Sequence, residues 1–199
     1  FEIGSELAVR PQTQAEYSTF CQKVKGYSYE TRGLTALHPT IAVLGPIQGG
    51  TLPILGYTGR GLAVMNQRHR EIDMSGFASG YHALDGMVRE ELRKSVLHGN
   101  YIECISQSIL EQSYEKPFDI LICMAQAPIS GRALNELRKR GVTTVLWFVE
   151  DYLRFTYWKS MAQYYDFIFT IQRDQCIEQI RKAGAGEVHY LPVACDPCV

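Results

Sequence analysis

Thr143-Thr144-Val145-Leu146-Trp147-Phe148-Val149-Glu150-Asp151-Tyr152 is the stretch that decides the fold. Its β-branched, aliphatic and aromatic residues run without a charge and then stop at two adjacent carboxylates. A continuous apolar run of this length predicts a strand buried on both faces, as parallel sheets under helical cover require. In open α/β sheets, ligands gather at the carboxyl ends of strands. Glu150-Asp151 is therefore the first candidate position for chemistry.

Upstream, Thr40-Ile41-Ala42-Val43-Leu44 reads as a short buried first strand ended by Gly45-Pro46. Gly49-Gly50-Thr51 leads into a helix expected over residues 52–68, with Pro53 tolerated in its first turn. Gly56, Gly59 and Gly61 weaken that helix by roughly 1 kcal/mol each relative to alanine, which close packing against the sheet would offset. Glu71-Ile72-Asp73-Met74 is a weaker second strand. Two helices follow. The first carries Leu84, Met87, Val88, Leu92 and Val96 on one face, and Gly99-Asn100 is expected to interrupt it, with Asn100 as N-cap. The second carries Ile102, Ile105, Ile109 and Leu110, and Lys116-Pro117 ends it.

Phe118 to Met124 is the third strand. A helix then runs from a Ser130 cap to Arg140 and is closed by Gly141, its cationic Arg138, Lys139 and Arg140 complementing the C-terminal dipole. The opening stretch is the fourth strand. A short aromatic helix over 155–164 and a fifth strand over 166–171 come next. Asp174 is expected to cap a helix carrying Ile177 and Ile180 and stopped by Gly184, and Glu187 to Leu191 is the sixth strand. Strands alternating with helices mean βαβ crossovers. The fold expected is α/β: a doubly wound, mainly parallel, six-stranded Rossmann-like sheet over residues 39–199. Residues 1–38 are an N-terminal extension in which Gln12 to Val24 predicts a short helix with Ala15, Phe20 and Val24 inward.

The 199 residues suit one substantial core better than two. A formal net charge of -1 offers no general attraction to nucleic acid or anionic lipid. No apolar run approaches the roughly 18 residues a membrane helix needs. The chain opens on Phe1 rather than methionine and is read as a segment of a longer protein. Cys123 and Cys176 fall in apolar patterns as small buried hydrophobes. Cys195-Asp196-Pro197-Cys198 is a lone CxxC without the second pair or histidines that zinc would need. Reduced thiols in the cytoplasm are expected, and no metal or cofactor is expected in this segment.

The glycine turn after the first strand offers free backbone N–H groups to an anion or a sugar hydroxyl. The same glycines would also serve simply to let a helix pack tightly. Gly45 and Gly50 fit two positions of a dinucleotide fingerprint, but Ile47 stands where the backbone must approach the pyrophosphate. The acidic residue expected at the end of the second strand is missing as well, which argues against a dinucleotide-binding domain. A P-loop ending and a nucleophile elbow are both missing. Glu150-Asp151 can supply a general base or hold sugar hydroxyls. Alternatively, Asp151 caps the following helix while Glu150 is solvated. The segment from Trp147 to Phe169, including Tyr152, Phe155, Tyr157 and Trp158, is dense in aromatics that fill a core or stack on a sugar at a cleft rim.

Three strings taken together, residues 144–151, residues 165–170 and Leu191-Pro192-Val193-Ala194-Cys195-Asp196-Pro197 after Gly184, resemble the CgeB-like, spore-maturation-type family of GT-B glycosyltransferases. Gly49-Gly50-Thr51-Leu52-Pro53 is similar to the glycine-rich loop of that family's N-terminal domains. The resemblance covers roughly residues 40 to 197. It implies two Rossmann-like domains facing one cleft, of which this chain is the acceptor-side half. The nucleotide-sugar donor would bind in a C-terminal domain of the same chain, beyond this segment. On that implication Asp151, then Glu150, are candidate catalytic groups, and Gly49, Gly50, Thr51, Gln126 and Tyr152 are candidate acceptor-binding residues. The acceptor would be a saccharide, a protein or a small hydroxyl compound. The crevice is expected where the first and fourth strands would be neighbours. A non-catalytic Rossmann-like module binding a ligand or partner is the competing reading.

Overall fold

The computed structural model describes residues 39–47 and 53–193. The expected helix over 12–24, the Gly49-Gly50-Thr51 loop and the Cys195–Cys198 pair lie outside the described residues. Runs of aliphatic and β-branched residues form six strands: β1 (Ile41–Leu44), β2 (His69–Ile72), β3 (Ile120–Met124), β4 (Thr143–Phe148), β5 (Phe167–Thr170) and β6 (Glu187–Tyr190). All pair in parallel, in the order β2-β1-β3-β4-β5-β6. The helices between them are α1 (Ile54–Val64), α2 (Ala78–Met87), α3 (Glu91–Glu115), α4 (Gly131–Lys139), α5 (Trp158–Met161) and α6 (Gln175–Lys182), with 3-10 turns at Ser75–Phe77 and Ala162–Tyr164. This is the doubly wound, Rossmann-like architecture that the alternating pattern predicts.

Alternate residues of each strand face opposite sides. On one side Leu121, Cys123, Leu146, Phe148, Ile168 and Val188 form the larger core. Its helical cover comes from Ile105 and Ile109 of α3, Leu134 and Leu137 of α4, Trp158 of α5 and Ile180 of α6. On the other side Ile41, Val43 and Met124 pack with Leu62 of α1. The division follows from crossover handedness. From β2 onward each new strand is added in one direction across the sheet, and right-handed crossovers keep their helices on one face. Only the β1-to-β2 connection runs the other way, which among the described residues puts α1 alone on the second face.

Local chemistry sets the ends of these elements. The Ser130 hydroxyl accepts from the Ala133 N–H at 3.3 Å and starts α4. Gly141 and Gly184, with φ of 84° and 93°, follow the ends of α4 and α6. Of the three glycines in α1, only Gly59 closely approaches another element: a Cβ there would meet the Glu71 side chain of β2, whose exposed carboxylate would have to move aside.

Several expectations need correction. α1 stops at Val64 rather than Arg68, where the chain turns through Asn66 at φ 55°. Gly99-Asn100 does not interrupt a helix, because α3 runs through both for 25 residues. The break lies at 88–90, with Val88 extended. Of the stripe expected on one helix face, Met87, Leu92 and Val96 stand in solvent, 67%, 71% and 57% exposed, while Leu84 and Val88 are half-buried. Asp174 sits at the N-cap of α6 but its side chain makes no capping hydrogen bond. β1 and β4 are not neighbours, since β3 lies between them. The order of addition reverses after β2, so the switch point falls between β1 and β3.

Candidate functional site

The carboxyl ends of β3 and β4 bring together residues 24 positions apart in sequence, Gln126 and Glu150. β3 ends at Met124, and two residues later Gln126 takes a left-handed backbone at φ 61°. Such a conformation costs a non-glycine residue on the order of 1–2 kcal/mol. It aims the Gln126 amide at β4, where its Nε2 donates to Glu150 Oε1. The Gln126 backbone N–H donates to the Tyr157 hydroxyl at 3.1 Å. Tyr157 comes from the segment after β4 and packs edge-on against Phe148, with ring centroids 5.8 Å apart. Burial, and then the nearby Glu150 charge, push the Tyr157 hydroxyl above the ordinary phenol range. It stays a neutral donor and acceptor.

The second oxygen of Glu150, Oε2, is enclosed and has no hydrogen-bond partner among the described residues. An enclosed acceptor left unpaired costs roughly 1–3 kcal/mol, more when it carries charge. A hydroxyl donor arriving at this point would remove that cost.

Gln126 and Tyr157 also line a cavity of about 430 Å³, together with Ile47, Tyr81, Ile102 and Tyr165. It opens beside the switch point between β1 and β3, where ligands of open α/β sheets bind. Tyr81 reaches it from α2, stacked on His98 of α3 at 4.1 Å. The wall is thus aromatic and aliphatic with a few polar groups, the usual composition of a small-molecule site. A second hollow of about 470 Å³ lies at the opposite, amino-terminal ends of β4 and β5, lined by Asn135, Arg138, Lys139, Gly141, Thr143 and Asp166. Its charges are engaged within the protein, with Arg138 Nε 2.9 Å from Asp166 Oδ1 and Asp166 Oδ2 accepting from Thr144 N–H. The cavity at the carboxyl ends is the better candidate.

The predicted site residues separate in the structure. Gln126 and Glu150 meet. Asp151 turns the other way: its Oδ1 accepts from the backbone N–H of Leu153 at 2.8 Å and of Arg154 at 3.3 Å, so it caps the turn that follows β4. Tyr152 leans toward the end of β5, its N–H donating to Gln172 Oε1 at 2.9 Å and its hydroxyl to Gln175 Oε1 at 3.3 Å. Neither Tyr152 nor Glu150 lines the cavity, which Glu150 meets only through Gln126. Gly49, Gly50 and Thr51 lie outside the described residues. Tyr81, Tyr165, Ile102 and Ile47 belong to the wall, though none of them is a site residue on the sequence reading. Tyr81 carries no motif, and its half-buried place on α2 is shared with Ala78, Gly80 and Leu84, so nothing in the sequence marks it.

Arg138, Lys139 and Arg140 have the helix-end role their position predicts. Arg138 pairs with Asp166 and Lys139 with Glu136. Arg140 donates to Ser113 Oγ at 2.7 Å and lies over the Tyr114 ring. Among the described residues no helix is long and apolar enough to cross a membrane. Compared with known proteins, the chain matches no family model, no curated protein and no solved structure.

Proposed function

We propose that this chain is the acceptor-side domain of a two-domain GT-B glycosyltransferase, with Glu150 as the group that meets the acceptor hydroxyl. The observation that carries the reading is the Glu150 carboxylate at the carboxyl end of β4: one oxygen is held by Gln126, which lines the aromatic-walled cavity, and the other is enclosed and has no partner among the described residues. In that role the Oε2 atom accepts the acceptor's O–H proton as the oxygen attacks the anomeric carbon and the nucleoside diphosphate leaves. Gln126 and Tyr157 orient the carboxylate, and Tyr81 offers a face on which a sugar ring can stack. The donor nucleotide sugar would bind in a separate C-terminal domain of the same protein. Asp151 serves here as a cap rather than as the first candidate base. The unbonded thiols Cys104, Cys123 and Cys176 support a reducing, cytoplasmic setting.

The test is sugar transfer by the full two-domain protein. Glu150→Gln should lower kcat by about 10²–10⁴-fold, whereas Asp151→Asn should leave transfer nearly unchanged. Equal losses in both variants, or none in Glu150→Gln, would remove Glu150 from the mechanism. The competing reading is a non-catalytic ligand-binding module, and the diversion of Asp151 into a turn favours it by leaving a single carboxylate at the site. In that case Glu150→Gln weakens saccharide binding by calorimetry, and no preparation transfers sugar.

A further inference from the structure

The cavity beside Gln126 has room for a small molecule but few groups with which to hydrogen-bond one. Its volume of about 430 Å³ lies toward the small end for ligand sites. A dry cavity of about 150 Å³ takes one benzene ring, so roughly two or three rings fill this one. Much of the wall is aliphatic, from Ile47, Ile102, Met124, Ile129 and Leu146. Tyr81, Tyr157, Tyr165 and Gln126 supply its polar side-chain groups, and among the described residues no Asp, Glu, His, Lys or Arg lines it. Most of those polar groups are already engaged. Tyr165 hydrogen-bonds with the Cys123 thiol, the Tyr157 hydroxyl accepts from the Gln126 backbone N–H, and Gln126 Nε2 donates to Glu150. The Tyr81 hydroxyl and Gln126 Oε1 are the side-chain groups of the wall that have no partner among the described residues.

Polar groups of a ligand must find partners in such a wall or lose those they had in water. Each hydroxyl left unpaired weakens binding by roughly 5- to 150-fold. A saccharide brings several hydroxyls on every ring, so the Tyr81 ring would suit a sugar face but the rest of the wall would not. Charge is restricted as well, because a charged ligand would give up hydration with no ion in the wall to pair with it. The carboxylates behind the wall add repulsion for an anion. Glu150 lies against Gln126. On the other side, burial and then the Asp85 charge raise the Tyr81 hydroxyl above its ordinary value. The aromatic parts of the wall are held in place by their neighbours, Tyr81 stacked on His98 at 4.1 Å and Tyr157 edge-on to Phe148 at 5.8 Å. We infer that the cavity takes an uncharged molecule of about two or three fused rings with a single hydroxyl, its rings against Tyr81, Ile102 and Leu146 and its hydroxyl at Gln126. As a ligand, this class stands on the cavity alone. As the acceptor of a sugar, it rests on the glycosyltransferase reading, with Glu150 behind the same Gln126.

Calorimetry on the 199-residue chain at neutral pH tests the class with neutral 2-naphthol, the 2-naphthoate anion, the naphthylmethylammonium cation and maltose. 2-Naphthol should bind about tenfold or more tightly than either charged analogue, and maltose should not bind measurably at millimolar concentration. Ala127→Leu, which enlarges a side chain of the wall, should weaken 2-naphthol by about tenfold or more. Equal binding of either charged analogue, tighter binding of maltose, or unchanged 2-naphthol affinity in a folded Ala127→Leu overturns the inference. If that variant does not fold, NMR on the unaltered chain decides. Amide shifts induced by 2-naphthol at Gln126 and Tyr157 support the site, and shifts confined to other parts of the chain overturn it. The two readings also fail separately. Sugar transfer to maltose by the two-domain protein, with no binding of 2-naphthol, removes this ligand class and keeps the glycosyltransferase. Binding of 2-naphthol at Gln126, with no transfer to any acceptor, keeps the ligand class and removes the glycosyltransferase.

Discussion

Glu150 and Asp151 are chain neighbours with different work. Their presence at a strand end was legible, because seven uncharged residues stop there. Their division was not. Consecutive side chains leaving a strand diverge, and the surroundings that select their roles come from elsewhere: Gln126 at φ 61° and Tyr157 on one side, the N–H groups of Leu153 and Arg154 on the other. Nothing local to Gln126 announces a left-handed backbone, since its neighbours Ala125 and Ala127 allow any conformation. The cap predicts a stability effect separable from any effect on function. Asp151→Ala should cost about 1 kcal/mol, and Asp151→Asn, which can still accept from the same two N–H groups, much less. Urea unfolding of the two variants checks this. Equal losses would mean that the carboxylate charge, rather than the cap geometry, matters at this position.

At the scale of elements, the α2–α3 region shows where pattern reading fails. A Gly-Asn pair predicts a helix break, yet Gly99 and Asn100 lie within α3. A glycine costs a helix about 1 kcal/mol, which a helix of 25 residues with a buried second half absorbs. The buried residues of α3 begin at Ile105, and its first half lies beside α2, reaching the core at Tyr101 and Ile102. The contacts in this half are specific ones: the Tyr101 hydroxyl donates to Phe77 O at 3.0 Å and Tyr81 stacks on His98. The apolar stripe from Leu84 to Val96 does not lie on one helix, since the break at 88–90 parts Leu84 and Met87 from Leu92 and Val96, and periodicity names a face without saying what lies opposite. Gly99 is exposed, and a Cβ there would meet nothing within 4 Å. Gly99→Ala should therefore stabilise the protein by roughly 0.5–1 kcal/mol, seen as a higher denaturation midpoint. Gly131→Ala should do the reverse, because its Cβ would enter the Tyr164 ring.

For the whole molecule, the alternation of strands and helices was legible because each buried strand is a contiguous apolar run. Strand order was not, since it depends on where each crossover helix packs. The misplacement of β1 beside β4 follows from that: the chain returns over β1 after β2, and β3 takes the neighbouring place. The dense core this order builds makes a prediction about alkaline stability. Burial pushes the Cys123 thiol from an ordinary 9.0 up to about 12, against a smaller opposing effect from its hydrogen bond with Tyr165. Burial likewise raises Cys176, Tyr157 and Tyr165, with Glu150 adding to the effect at Tyr157 and Cys123 at Tyr165. In each case the fold favours the protonated form. Below the unfolded-state value both states hold the proton and stability is full. Above it the unfolded chain has lost the proton while the folded chain keeps it. Stability then falls as pH rises, by about 1.4 kcal/mol per pH unit for each such group, until the folded value is passed. Urea midpoints should be level near neutral pH and decline above about pH 9 as the thiols begin to differ. The decline should steepen above about pH 10 when the tyrosines join. Cys123→Ala, whatever it costs in packing, should flatten the first part of that decline and leave the second. A profile with the same slope in both proteins between about pH 9 and 10 would show that the Cys123 proton is not held by the fold.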